Sequence, residues 1–211
     1  MHDMTIQTAA RLAGVGLLAM AALAILGTVG TQNVIVAGDA ATTARNIAAG
    51  ELLFRLGVCA WLVVAILDVV VALALFVVLR PVNNSLSLLA ALLRVTYAAA
   101  FAAAISHLLL ATQLLTQPDQ LVLALDAFQD GWTTALVIFA VYLGLLGYLV
   151  YASRYIPRFL GVLLFIASAG YLIASIGKIL IPSAAGTLDA VVAAPVAIGE
   201  LAFAVWLLVR A

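Results

Sequence analysis

Apolar residues in this chain come in long runs separated by short polar interruptions. Six stretches, 12–30, 51–79, 88–115, 131–151, 159–181 and 190–209, have the length and character of spanning helices, which need about 20 predominantly apolar residues. The runs are built of Leu, Ala, Val and Ile and lack the roughly ten-residue alternating segments of a lipid-facing barrel. The expected fold is therefore all-α, a polytopic bundle of six transmembrane helices in a single integral membrane domain over 1–211. Arg11 ahead of the first apolar run resembles the start of a signal peptide, but the run is long and five more follow, so a retained helix is expected.

The polar interruptions set the connections. Pro81 in "RPVNNS" and Pro157 in "SRYIPRF" mark short turns after helices two and four, the second with proline near a first helical position, where it is tolerated. Both turns carry arginine, which accounts for their resemblance without an internal repeat. In "GDAATTARNIAAGELLFR", Asp39 stands where a helix cap belongs, ahead of good helix formers, predicting a helical arm from Ala40 toward Gly50. Glu51 and Arg55, four apart, face one side of the next helix. The segment "TQPDQLVLALDAFQDGW" has an apolar patch between acidic flanks and is expected to form a short interfacial helix of its own. Small residues at 98–100 and 102–104 and at Gly170, Ala174 and Gly177 mark surfaces where helices approach closely.

Composition agrees with the pattern. The 211 residues are 67% hydrophobic and 9% charged, with mean hydropathy +1.29, far from the roughly 25% charged residues of a soluble domain. The net charge is zero and no basic stripe with interleaved aromatics occurs, so nucleic acid is not an expected partner. The single Cys59 excludes an intrachain disulfide and a cysteine zinc site. The termini and the second and fourth loops carry Arg11, Arg80, Arg154, Arg158 and Arg210, whereas the opposite loops carry Arg45 and Lys178. Both termini are thus expected in the cytoplasm. The outer loops hold Asp39, Asp119, Asp126, Asp130 and Asp189, an acidic exterior.

Three charges fall deep inside the apolar runs, away from their outer ends. Asp68 lies twelve residues before Arg80, Glu200 ten before Arg210, and Arg94 nine beyond Ser85. At a rise of about 1.5 Å per residue these are depths of roughly 18, 15 and 13 Å, one layer. An Asp or Arg near a helix centre costs about 2.5–3.5 kcal/mol unless it turns inward and pairs, so Asp68, Arg94 and Glu200 are expected to meet if their helices adjoin. Two carboxylates with one guanidinium leave one carboxylate to be neutralised by a proton, a water-filled cavity or a cationic ligand. A purely structural polar network explains the same residues.

A second layer is expected toward the outer face, where Glu51 and Arg55 would line a mouth with His107 and Lys178. Ser175 lies three residues before Lys178, the spacing of a serine–lysine dyad, but a lysine near a helix end more simply snorkels to the interface. His107 is the only histidine in a span, which excludes a haem held by two histidines. No HExxH, phosphate-binding Gly-rich lysine loop or G-x-S-x-G elbow occurs. No metal site and no cofactor is implied.

Taken in order, "GDAATTARNIAAGELLFR", "LDVVVALALFVVLRPVN", "LLAALLR", "LGYLVYASRYIPRFLGVLL", "GYLI" and "IGELAFAVWLLVR" cover nearly the whole chain. This ordered set resembles a bacterial family of six-helix membrane proteins catalogued as domain of unknown function four-three-eight-six. The resemblance implies a multi-pass protein of the bacterial cytoplasmic membrane. It transfers no substrate, cofactor or catalytic residue.

Three functional readings follow. The leading one is an intramembrane polar cavity lined by Asp68, Arg94 and Glu200 that binds, senses or moves a small amphipathic molecule or lipid. A transporter version uses Asp68 or Glu200 as proton carrier and, at this length, an inverted-repeat design would work as a homo-oligomer. The second is a metal-free intramembrane enzyme acting on a lipid or isoprenoid, with a carboxylate as general acid or base. The third is a structural or assembly protein whose buried charges fix helix register.

Overall fold

The computed structural model describes residues 4–210. They form seven helices: α1 (Ile6–Thr31), α2 (Ala40–Ala49), α3 (Glu51–Leu79), α4 (Asn84–Ala111), α5 (Pro118–Ala152), α6 (Arg158–Leu180) and α7 (Ala185–Arg210), with a single 3-10 turn, Pro182–Ala184, before the last. No strand occurs among the described residues. Five helices, α1, α3, α4, α5 and α6, are long and apolar enough to cross a membrane. In α7 the apolar stretch among the described residues is shorter, Ala197–Val209.

Local chemistry explains the boundaries. Asp39 caps α2: its carboxylate accepts from the Thr42 backbone N–H at 2.8 Å and from the Thr42 hydroxyl at 2.7 Å, satisfying donors that a helix start leaves open. The side-chain bond to Thr42 and then the backbone bond hold the Asp39 carboxyl below the ordinary aspartate range. Gly50 ends α2, and α3 begins at the next residue.

One expectation needs correction. The segment "TQPDQLVLALDAFQDGW" does not form a separate interfacial helix, and the helix expected at 131–151 starts at Pro118. Proline is suited to a first helical position and Asp119 to the first turn. Leu121, Ala124, Leu125 and Phe128 are buried at the i, i+3, i+4, i+7 spacing of one helical face. The three aspartates thus interrupt the hydropathy but not the helix.

The described residues fall into two compact units. Unit 1 takes the described residues up to Leu18, Leu67–Ala98 and those from Thr133 on; unit 2 takes Ala19–Ile66 and Ala99–Trp132. In unit 2 the core is aromatic. Trp61 meets Phe101 edge-on at 5.6 Å and Trp132 at 5.1 Å, and Phe128 lies 5.6 Å from Trp132. The Trp61 indole N–H donates to Thr31 Oγ1 at 3.1 Å, and Thr31 in turn donates to the Gly27 carbonyl at 2.8 Å. In unit 1, Gly199 seats α7 on α6: a Cβ there would stand 2.8 Å from the Leu163 carbonyl oxygen. Only a residue without a side chain permits that approach, and the residue after it is Glu200.

Candidate functional site: a buried charge cluster in unit 1

The helical repeat determines where each charge points. On α3, Asp68, Val71, Ala72 and Leu75 are all buried, whereas Val69 and Leu73 are exposed; Asp68 therefore belongs to the inward stripe. On α4 the same stripe holds Ser87, Ala90, Arg94, Tyr97 and Ala98, with Leu88, Leu92 and Val95 outside. On α7, Glu200 precedes the buried Phe203, Ala204 and Leu207.

Asp68 and Arg94 meet directly, with Arg94 Nη2 2.7 Å from Asp68 Oδ1 and both side chains almost wholly enclosed. Arg94 Nη1 donates to the Tyr142 hydroxyl at 2.7 Å. The guanidinium also stands over two rings of α5, with Cζ 5.1 Å from the Tyr142 centroid and 5.7 Å from that of Phe139, distances that add cation–π attraction. Glu200 is held separately, its Oε1 accepting from the Tyr171 hydroxyl of α6 at 2.9 Å. Phe139 links the two halves: its ring meets Tyr142 and Tyr171, each at 5.3 Å, and Tyr97 at 4.7 Å.

Two features of the cluster bear on its chemistry. Asp68 Oδ2 is buried and meets no hydrogen-bond donor among the described residues. A cavity of about 10 Å³ touches both Arg94 and Glu200, closed by Leu17, Leu143, Leu146, Leu164 and Phe203. That is close to the room for one water and far below the roughly 300 Å³ of a small-molecule site. The arrangement can hold a water or a proton between carboxylate and guanidinium, while a larger ligand would require the helices to part.

The residues expected at an outer mouth are placed differently. Glu51 and Arg55 of unit 2 pair at 2.8 Å, both about half exposed. His107, in the same unit, is half-buried, whereas Lys178 belongs to unit 1. Among the described residues no three His, Cys, Asp or Glu side chains converge as a metal site. A larger space, about 710 Å³, lies in unit 2 between apolar residues such as Ile35, Val122 and Leu125 and the acids Asp39, Asp119 and Asp126.

Sequence reasoning missed Tyr142, Tyr171 and Phe139. A signal was present: Tyr142 lies ten residues before Ala152 and Tyr171 thirteen after Arg158, depths of about 15 and 20 Å by the same rise per residue. Counting hydroxyls as well as charges would have put them in the layer of Asp68, Arg94 and Glu200.

Comparison with known proteins gives two matches. A family model described as a domain of unknown function, DUF4386, matches residues 12–211. An uncharacterized protein of the archaeon Archaeoglobus fulgidus is 41% identical over 110 residues, a stretch covering 52% of this chain and 59% of the relative. The chain thus spans less than two thirds of that relative's length. No solved structure matches.

Proposed function

The chain belongs to the family of the domain of unknown function DUF4386, and we propose that it is a six-span protein of the cytoplasmic membrane, both termini inside, that binds, senses or moves a small amphipathic molecule in a proton-linked way. The observation that carries this reading is the enclosed Asp68–Arg94 ion pair with a second carboxylate, the part-buried Glu200, sharing a small cavity with Arg94. Buried ionisable groups in spanning helices are costly and commonly mark proton or substrate pathways. Arg94 and Asp68 balance one another, so ionised Glu200 would leave an uncompensated charge, and the cavity beside it has room for about one water to exchange a proton with that carboxyl. Asp68 or Glu200 is the carrier in this scheme; Tyr171 holds Glu200, and Tyr142 holds the Arg94 that pairs with Asp68.

Infrared spectroscopy of the reconstituted full chain tests it. A band from a protonated buried carboxyl should vanish as the pH is raised and be absent in Glu200→Gln, but persist in Glu51→Gln. A wild-type protein with no titrating buried carboxyl would sink the proposal.

The close packing around Arg94 favours a second reading, a network that only fixes helix register. On that reading Asp68→Asn combined with Glu200→Gln folds fully and leaves the host's phenotype unchanged. Under the proton-linked reading the double variant folds but loses its proton-dependent response.

A further inference from the structure

The turn between α5 and α6 gathers positive charge that no carboxylate among the described residues neutralises. Arg154 and Arg158 flank it, and both are exposed. Tyr155 brings in a third arginine: its hydroxyl donates to the Val78 carbonyl, tethering this turn to the one that begins with the exposed Arg80. None of the three makes an ion pair to a carboxylate among the described residues, and Arg158 instead lies over the Tyr151 ring at 5.7 Å. From Gly131 to Leu188 the sequence contains no Asp or Glu at all, so α6 and the part of α5 nearest the turn offer no internal counter-charge.

The turn is firmly built. Ser153 Oγ donates to the Val150 carbonyl at 2.8 Å and accepts from the Ile156 N–H at 3.1 Å, and the Ile156 side chain is buried. Pro157 stands at the α6 cap without a side-chain hydrogen bond, so the positive end of that helix is not blunted by a capping oxygen. Beside it lies a groove of about 450 Å³ lined by Arg154, Tyr155, Ile156, Pro157 and Trp206. Tyr151 and Phe159 are 45% and 60% exposed next to the arginines, giving apolar surface directly below the charge.

We propose that this groove is a binding site for the phosphate headgroup of an anionic phospholipid. Arg154, with Arg158 and Arg80 nearby, meets the headgroup, and Tyr151, Phe159 and Trp206 accompany the glycerol and upper acyl chain. Basic pockets between spanning helices are suited to such headgroups, and tyrosine and tryptophan favour the same depth. Charge and apolar surface side by side select a lipid over a soluble anion. The inference is independent of the proton-linked reading, since it uses none of the same residues.

The test is native mass spectrometry of the full chain reconstituted in vesicles of phosphatidylcholine and phosphatidylglycerol and then gently solubilised. Phosphatidylglycerol should be retained and phosphatidylcholine lost. Arg154→Gln with Arg158→Gln should lower retention about thirtyfold, on the basis of about 1 kcal/mol per arginine near an anionic surface. Arg45→Gln should change nothing, and Arg154→Gln alone, an exposed substitution, gives a smaller drop if the pair folds poorly. Equal retention of both lipids, or undiminished retention in the folded variants, would overturn the site. So would displacement of phosphatidylglycerol by inorganic phosphate, which would make the ligand a free anion.

Discussion

The interiors of the two units solve different problems. Unit 2 is closed by Trp61, Phe101, Phe128 and Trp132, and the Trp61 indole N–H is satisfied by Thr31. Unit 1 buries a guanidinium–carboxylate pair, with a second, part-buried carboxylate beside it, under a cover of tyrosines and Phe139. An aromatic interior loses roughly what is removed from it. A charged interior loses more, because the surviving partner remains buried without compensation.

The largest expected effect tests that asymmetry. Arg94→Ala should destabilise by about 3–5 kcal/mol by stranding Asp68, whereas Asp68→Leu with Arg94→Met should recover most of the loss. Denaturation in mild detergent, followed by helicity, measures both. If the double variant is no better than Arg94→Ala, stranded charge is not what distinguishes the two interiors. A smaller effect is expected in unit 2, where Trp61→Phe removes one neutral hydrogen bond and part of a ring, about 1–2 kcal/mol. Adding Thr31→Val should change that little, and a coupling as large as that of Asp68 with Arg94 in a double-mutant cycle would erase the contrast.

The smallest effect concerns the cap of α2. Asp39 has its carboxyl lowered in the folded chain, so its contribution is present above the unfolded value and lost as pH falls through the folded one. Asp39→Asn retains a capping side chain and should flatten the acid dependence of hydrogen exchange at the Thr42 amide. An unchanged acid profile would assign that dependence to another group.

Much of the helical framework was legible because its punctuation is local. Gly50 and Pro81 bracket α3, which has the expected bounds, and Asp39 announces α2. The start of α5 was not legible from hydropathy, since Asp119, Asp126 and Asp130 dilute a face that Leu121, Leu125 and Phe128 nonetheless bury. At the cluster, depth counting placed Asp68 and Arg94 in one layer, and they form a pair. That Glu200 bonds to Tyr171 instead depends on which way α6 and α7 turn toward each other, which Gly199 controls through a close approach that no property of Glu200 itself encodes.

The length of α5 has a separate consequence. Its 35 residues reach about 52 Å, well beyond a hydrocarbon core of about 30 Å, so bilayers of different thickness can slide along it without exposing its ends to oil. The 23 residues of α6 span only about 35 Å and have little such margin. Sensitivity to hydrophobic mismatch, and any sorting among membranes by thickness, should therefore be governed by α6, and lengthening or shortening that helix is the way to retune it.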